Sequence, residues 1–344
     1  MLELKETDMA NKPIPRSNKS KQQTPGGKKK KLGKGLVVLS VIFGLALLAV
    51  LTYVGVDRLT TALTLSKVVF ITTDMEVDGS GPKSDKFKET QVVAASPDGG
   101  FYVSDFSAHN IRKFDSNGQE QFAFGSQGKL DGQFVQPSGL IVDSQGNLLV
   151  CDTFNHRVQK FDAKGKFLSK FGHGFFGPRD LVEAGNRIYV CDTGNHKVQV
   201  FDLNGNFLME WGGFGSANGQ FQEPVGITAD PVGFLYVADS DNRRIQKFDL
   251  NGRFMGAFKV LTWKGKNEEI PYLAFFQGNI FASNASPGAI LRYTQDGKLL
   301  AIYQRKETMG DTAGVAVDTT GRVLVVEKGL NRVARFIPIL KPGK

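Results

Sequence analysis

The sequence predicts an all-β fold, a six-bladed β-propeller, and three observations support that prediction. Short apolar stretches that end in an acidic or amide residue recur along the chain. Each is followed by a polar loop and by further stretches in which apolar residues alternate with polar ones. Glycine is abundant, with 40 residues against 13 prolines, as expected of a chain with many tight turns.

The stretches that end in an acid or amide set the period of the repeat. They end, in order, at Asp105, Asp152, Asp192, Asp239, Asn284 and Glu327. The spacings between these residues are 47, 40, 47, 45 and 43. Each copy continues through a second apolar stretch, a turn of the Asn-Gly kind and a third stretch, so four antiparallel strands fit in one period. Six copies therefore predict six blades, each burying its faces against its neighbours in a ring.

Three triplets that follow the acids carry a resemblance to a known repeat family. They are Asn155-His156-Arg157, Asn195-His196-Lys197 and the relaxed version Asn242-Arg243-Arg244. The linkers Gly132-Gln133-Phe134 and Gly219-Gln220-Phe221 match the start of the blades in the same family. On these residues the region from about 90 to 337 resembles NHL repeats. The resemblance implies a β-propeller, and for function it implies a binding platform, a sensor domain or, in some members, an enzyme.

Closure of the ring requires a strand from outside the repeats. The sixth copy ends at Phe336-Ile337-Pro338 with no room for a fourth strand. We therefore predict that the β-like run of residues 67–73 supplies the outer strand of blade six and removes an exposed edge. This places a linker with the closing strand at 57–88 and the propeller at 89–340.

The N-terminal part predicts a membrane anchor. Residues 35–56 are 22 consecutive uncharged residues, enough for a helix of about 33 Å across a hydrocarbon core of about 30 Å. A cleaved signal peptide is the alternative, although its apolar region is usually shorter and its basic leader much shorter than 34 residues. Residues 1–34 are polar and basic, and we expect them to be a disordered cytoplasmic tail.

Charge indicates the orientation and argues against one class of partner. The cluster of lysines at 28–31 and Lys34 borders the apolar run, so that side stays cytoplasmic and the propeller lies outside the cytoplasm, in the periplasm or at the cell exterior. The whole chain carries a net charge of +9, of which residues 1–34 hold +7 (ten Lys/Arg against three Asp/Glu). The remaining +2 on a large domain is not the basic surface of a nucleic-acid binder.

The repeated acids and histidines are predicted to be structural, since a residue present in blade after blade belongs to the fold. In an enzymatic relative of NHL proteins, the peptide-amidating lyase, zinc-binding histidines stand where the innermost strands begin. The matching positions here are Ser138, Arg179, Val225 and Tyr272, and none is histidine. The resemblance therefore carries no catalytic residue, metal ligand or cofactor to this chain. By analogy with six-bladed lactonases and sugar dehydrogenases, Asp180, Asn284 and Glu327 could still contribute to a channel cation.

The two cysteines, Cys151 and Cys191, lie one repeat apart in a slot that other copies fill with small residues. Equivalent positions of adjacent blades are usually too far apart for a disulfide, which needs Cα atoms within about 7 Å. We expect two reduced and packed thiols.

Departures from the repeat are the candidate binding residues. Arg179 and Asp180 replace the usual small pair at the start of blade three, and Tyr272 holds the position that corresponds to Arg179 in blade five. The long loop Val260–Ile270 carries Trp263 and Lys264. Trp and Arg are enriched at binding hot spots, although Trp263 could equally cover the base of blade five.

These observations favour a membrane-anchored, extracytoplasmic propeller that acts as a protein-binding or scaffold module in the cell envelope. Its expected partner is another envelope protein, and a small molecule could occupy the channel. The alternative is a propeller hydrolase or lyase with a metal ion in the central channel.

Overall fold

The structure is a computed structural model, and it describes residues 66–79, 87–265, 270–285, 288–306 and 309–339. The predicted tail (1–34) and membrane span (35–56) lie outside the described residues, as does much of the 57–88 linker. In the described part, the helical segments are short 3-10 turns at Thr153–Asn155, Thr193–Asn195 and Lys328–Leu330. None of them has the length and apolar character of a membrane-crossing helix.

Six sheets form the six blades, as the repeat predicts. Two strands precede the repeats: β1 (Val68–Ile71) and β2 (Thr73–Asp78). Blade one contains β3 (Thr90–Ala95), β4 (Phe101–Asp105), β5 (Asn110–Phe114) and β6 (Glu120–Phe124). Blade two contains β7 (Pro137–Val142), β8 (Leu148–Asp152), β9 (Arg157–Phe161) and β10 (Phe167–Phe171). Blade three contains β11 (Pro178–Ala184), β12 (Arg187–Asp192), β13 (Lys197–Asp202) and β14 (Phe207–Gly212).

The second half of the ring follows the same order. Blade four contains β15 (Pro224–Ala229), β16 (Phe234–Asp239), β17 (Arg244–Asp249) and β18 (Phe254–Lys259). Blade five contains β19 (Leu273–Phe276), β20 (Asn279–Asn284), β21 (Ala289–Thr294) and β22 (Leu299–Arg305). Blade six contains β23 (Thr312–Val317), β24 (Val323–Glu327) and β25 (Arg332–Phe336). Neighbouring strands within the repeats pair antiparallel, and the first strand of each copy lines the centre of the ring.

The hairpin between β7 and β8 shows how the sequence makes these turns. The Asp143 carboxylate accepts hydrogen bonds from the backbone N–H groups of Gln145 (3.0 Å) and Asn147 (2.7 Å), which satisfies donors that the reversal of the chain removes from the ladder. Gly146 completes the turn at φ +81°, a conformation in which other residues are strained. The same acid-to-glycine pattern recurs at Asp162–Gly165 and Asp202–Gly205.

The ring is closed by an N-terminal strand, but residues 67–73 are not that strand. β2 pairs antiparallel with β25 and completes blade six, whereas β1 pairs parallel with β22 and adds a fifth strand to blade five. The reason lies in the side chains. Residues 73–78 alternate polar side chains with the buried Met75 and Val77, as a half-buried outer strand requires. The more continuously apolar β1 instead covers the edge of blade five.

Aromatic side chains fill the space between blades. Phe134 of the linker before blade two is fully buried and lies 5.5 Å, between ring centroids, from Phe161 of β9. The same contact occurs two blades later, between Phe221 of the linker before blade four and Phe248 of β17, with centroids 5.7 Å apart. Each such side chain contributes about 1.5–3 kcal/mol through burial, so the linkers are part of the core.

Candidate functional site

The repeated aspartates hold the loops between the strands. Asp239 of blade four is fully buried and accepts hydrogen bonds from the Gln222 backbone N–H (3.0 Å) and from the side chains of Asn242 (2.8 Å), Arg244 (2.8 Å) and Gln246 (3.1 Å). The Asp105, Asp152 and Asp192 carboxylates accept the equivalent backbone hydrogen bond, from Glu89, Val135 and Phe176 in that order. These acids are structural, as the repeat predicts.

The repeated histidines connect neighbouring blades. His156 adopts the left-handed conformation (φ +55°) at the end of its 3-10 turn, and its Nδ1 accepts the Gly177 backbone N–H at 3.3 Å. His109 accepts the Gln136 N–H in the same way at 3.0 Å. In His196, Nδ1 lies 2.6 Å from the Gln222 carbonyl oxygen, so this nitrogen donates.

The three residues considered for a channel cation do not fit one. Asp180 lines the central cavity, whereas Asn284 and Glu327 do not. The Glu327 carboxylate instead forms ion pairs with Arg305 and Arg332. Across the described ranges, no group of three or more His, Cys, Asp or Glu side chains could hold a metal ion.

Cys151 and Cys191 are free and buried, in agreement with the prediction of packed thiols. Burial raises the pKa of both thiols well above the ordinary value, and the charge of the nearby Asp180 adds to this effect. Both cysteines therefore remain protonated and act as small core residues.

The inner strands meet around a central cavity of about 240 Å³. At one equivalent position of the inner strands, the third residue of the strand except in blade five, where it is the first, the even blades carry glycine and the odd blades carry a side chain. The residues, in blade order, are Val92, Gly139, Asp180, Gly226, Leu273 and Gly314. A Cβ on Gly139 would lie 2.4 Å from the Arg179 carbonyl oxygen, so the strands approach too closely for any other residue. At the preceding position the larger side chains belong to odd blades: Gln91, Arg179 and Tyr272, against Ser138, Val225 and Ala313 in the even blades.

Asp180 occupies the space above Gly139 in this cavity. Its Oδ2 accepts the Ile227 backbone N–H at 3.0 Å, across the gap between blades three and four. Burial raises the pKa of Asp180 to about 8, and the backbone hydrogen bonds from Ile227 and Leu181 offset this only in part. The carboxyl group is therefore mostly neutral at pH 7.

Tyr272 lines this cavity, and Gln91 lies beside Tyr272. Both are 1% exposed, and the Gln91 amide faces the Tyr272 hydroxyl without a well-formed hydrogen bond in the described part of the chain. Burial raises the pKa of Tyr272, the charge of Asp180 raises it further, and the charge of Arg179 lowers it. The structure thus brings the predicted residues Arg179, Asp180 and Tyr272 together and adds Gln91, which sequence reasoning missed.

The predictions for the long loop are corrected in part. Trp263 is only 1% exposed, packs in the core of blades four and five, and donates its indole N–H to the Ser283 carbonyl oxygen at 3.2 Å. It is a core residue because its ring packs among buried side chains of blades four and five and not toward solvent. Lys264 is exposed, and it lines neither the central cavity nor the pocket described next.

A second cavity, the top-face pocket, lies beside the channel mouth. We define the top face as the face that carries the connections between blades and the loops after the second strand of each blade. These connections and loops lie on the same face because the first strand of a blade begins where its second strand ends. In blade three, for example, Pro178 at the start of β11 pairs with Asp192 at the end of β12. The pocket has a volume of about 410 Å³ and spans blades two, three and four. Its residues are Thr153, Phe154, His156, Phe176, Gly177, Arg179, Thr193, Gly194, His196, Gln222 and Glu223.

Two solvent-exposed phenylalanines, Phe154 and Phe176, form the aromatic walls of this pocket. Phe154 is 51% exposed and Phe176 is 61% exposed, and the Phe176 ring stacks on His156 with centroids 5.7 Å apart. Both occupy loop positions that other blades fill differently. The signal that could have found them is a large apolar residue in a polar loop of the repeat.

Arg179 links the top-face pocket to the channel mouth. Its side chain is half-buried, and it makes no hydrogen bond or ion pair with the residues that the structure describes. Other arginines of the repeat form ion pairs, for example Arg157 with Asp152 and Arg244 with Asp239. Arg179 therefore offers its donors to the pocket.

An acidic pair borders the same pocket. Burial raises the pKa of Glu223 to about 7, and the charge of Asp241 and a hydrogen bond with it contribute, while the charge of Arg179 lowers the pKa. Glu223 thus exchanges a proton near neutral pH. Nothing in the repeat pattern had singled it out.

Comparisons with known proteins agree with this architecture. The NHL repeat model matches residues 134–161, 177–201 and 221–248. Virginiamycin B lyase from Staphylococcus aureus is 12% identical over 77% of this chain and 99% of its own, with a TM-score of 0.56. A gluconolactonase from Xanthomonas campestris is 17% identical over 74% and 88%, with a TM-score of 0.57. The WD40 repeats of RRP9 are 10% identical over 78% and 99%, also with a TM-score of 0.57.

At these identities the solved structures share the fold with this chain, and their activities are their own. No match is found among curated protein sequences. The matched repeats coincide with blades two, three and four, the blades that form the top-face pocket. The chain is a six-bladed β-propeller that contains NHL repeats.

Proposed function

We propose that the propeller is a binding module whose top-face pocket captures a protein partner through Arg179 and the aromatic walls around it. The observation that carries this proposal is a half-buried guanidinium that forms no hydrogen bond or ion pair in the described residues, in a pocket that two exposed phenylalanines also line. Aromatic side chains grouped in a pocket with an arginine are typical of protein-binding surfaces.

We further propose that residues 35–56 anchor the module in a membrane and that the propeller faces an envelope partner outside the cytoplasm. The support comes from the sequence, which has 22 uncharged residues next to a run of lysines. A reporter fused after Lys344 tests this: activity of an extracytoplasmic reporter is expected, and activity of a cytoplasmic one would contradict the orientation.

Photo-crosslinking of the full chain in its own cells tests the binding site. A photoreactive phenylalanine analogue at position 176 is expected to give a discrete adduct that disappears in the Arg179→Gln background. The matched control places the same analogue at Phe207, an exposed residue of β14 outside the pocket. An adduct that forms equally from both positions, or that survives Arg179→Gln unchanged, would show that the top-face pocket is not the binding site.

A hydrolase or lyase is the second candidate function, and the Glu223–Asp241 pair favours it. A carboxyl group with a pKa of about 7 in a pocket can act as a general acid or base at neutral pH. If the pocket is catalytic, turnover of a panel of lactones and esters should follow a pH profile with an apparent pKa near 7. Glu223→Gln should abolish that profile; a rate that the variant leaves intact would exclude this role.

A further inference from the structure

We propose that the top-face pocket binds the C-terminal residue of its protein partner, with the terminal carboxylate on Arg179 and an apolar side chain between Phe154 and Phe176. This inference rests on the proposed binding function, because it uses the same pocket. It adds the chemical class of the ligand.

Charge is the first argument. Arg179 lines the pocket and forms no hydrogen bond or ion pair in the described ranges, although its charge lowers the pKa of the nearby Glu223. Glu223 shares a hydrogen bond with Asp241. A guanidinium presents parallel N–H donors that match the two oxygens of a carboxylate. A carboxylate ligand therefore supplies the hydrogen-bond acceptors that the described residues do not give to Arg179.

The aromatic walls are the second argument. Phe154 comes from the loop after β8 and Phe176 from the connection before β11, and both border the pocket that contains Arg179. A C-terminal residue carries its carboxylate and its side chain on the same carbon atom. It can therefore place an apolar group against the rings while the carboxylate reaches the guanidinium. An aspartate or glutamate side chain offers the carboxylate without the apolar group.

The extent of the aromatic surface favours a polypeptide over a free small acid. Phe106 packs edge-on against Phe154 with centroids 6.4 Å apart, and the exposed Phe214 packs edge-on against His196 at 5.0 Å. These contacts continue the apolar surface from the pocket toward blades one and four. A ligand confined to about 410 Å³ would leave this surface uncovered, whereas the residues that precede a chain terminus could lie along it.

Fluorescence anisotropy with the purified full chain tests the inference. The probes are labelled degenerate hexapeptides that end in Phe, Leu or Val, either with a free C-terminus or with a C-terminal amide. Peptides with the free C-terminus should bind, and amidation should weaken binding by about tenfold to a hundredfold. Arg179→Gln should remove this difference, and Phe176→Ala should weaken the free peptides. Arg243→Gln, at an exposed arginine, and Leu168→Ala, on β10, are the matched controls and should change neither.

Several results would overturn the inference. Equal binding of free and amidated peptides would exclude carboxylate recognition, and N-acetylphenylalanine that competes as well as a hexapeptide would identify a free small acid as the ligand. If no peptide binds while the crosslink from position 176 persists, the C-terminal ligand is wrong and the binding function stands. If the crosslink is also absent, the proposed function itself fails. Unchanged melting temperatures of the Arg179 and Phe176 variants show that such losses do not reflect unfolding.

Discussion

Replacing the repeated aspartates by asparagine should have unequal effects, because only some of them face an arginine. The Asp239 Oδ2 accepts from Arg244 Nε at 2.8 Å, and Arg244 is a partly buried cation. Blade three has Lys197 where blade four has Arg244. Among the described residues the Asp192 carboxylate receives only amide donors, from Asn195 (2.7 Å), Gln199 (2.8 Å) and the backbone. Burial raises the pKa of Asp192.

The magnitudes follow from these contacts. In Asp239→Asn the new amide N–H group faces Arg244, whose guanidinium has only hydrogen-bond donors. The Arg244 cation also loses its counter-ion. Breaking a buried pair in this way costs about 3–5 kcal/mol; the three backbone carbonyls that Arg244 also contacts keep the loss near the lower value. In Asp192→Asn the Gln199 amide can turn its oxygen, which has no hydrogen bond in the described residues, toward the new donor. The expected cost is about 1 kcal/mol.

Urea denaturation of the full chain, followed by the fluorescence of Trp211 and Trp263, measures the free energy of unfolding of both variants. Asp152→Asn is the internal control and should group with Asp239→Asn, because Arg157 Nε bonds the Asp152 carboxylate at 2.8 Å. The reasoning is refuted if Asp192→Asn costs as much as the other two. It is also refuted if Asp152→Asn groups with Asp192→Asn.

Three further predictions concern the core, the channel and the closing strand. Trp263→Ala should lower the free energy of unfolding by about 3–5 kcal/mol through a core cavity and leave the crosslink from position 176 intact; a stable variant without the crosslink would make Trp263 a binding residue. The pKa of the Asp180 carboxyl group is raised to about 8 in the folded state, so the folded chain binds the carboxyl proton more tightly than the unfolded chain does. The free energy of unfolding should therefore fall as pH rises from about 4 to 8. Relative to Asp180→Asn, wild type should lose up to about 1.4 kcal/mol per pH unit in this window, and parallel pH profiles of stability would contradict the raised pKa. Val77→Ala in β2 should destabilise by about 1.5–2 kcal/mol, and Val69→Ala in β1 by less than about 1 kcal/mol; the reverse order would mean that β1 closes the ring.

The blades could be predicted from the sequence because the information that specifies them is local. Each acid, such as Asp152, stands at the end of a strand and bonds residues within a few positions, at Asn155, Arg157 and Gln159. A contact pattern with fixed short spacing leaves a fixed spacing in the sequence. The same logic predicted that the histidines and cysteines of the repeat are structural.

The closing strand and the role of Trp263 could not be predicted in the same way, because both depend on contacts between distant segments. β2 pairs with β25 across more than 250 residues, and its alternation of Met75 and Val77 with charged side chains is short and easily missed. For Trp263 the sequence supports a binding role and a packing role equally. The packing role follows from its contact with Ser283 of blade five, which is distant in sequence.

The candidate site depends on a departure from six-fold symmetry at the inner strands, where odd and even blades carry different residues. Glycines at the third position of the even inner strands let the strands of neighbouring blades approach closely: a Cβ on Gly226 would lie 2.6 Å from the Pro271 carbonyl oxygen, and one on Gly314 would lie 2.6 Å from the Val92 Cα. At the position before these glycines the largest side chains come from the odd blades. Of the three that do, Gln91 and Tyr272 are buried, and Arg179 alone extends into the top-face pocket. In the described residues the Arg179 guanidinium forms no hydrogen bond or ion pair, and packing alone gives no reason for an arginine at this position. This is the observation that the proposed binding role of Arg179 would explain.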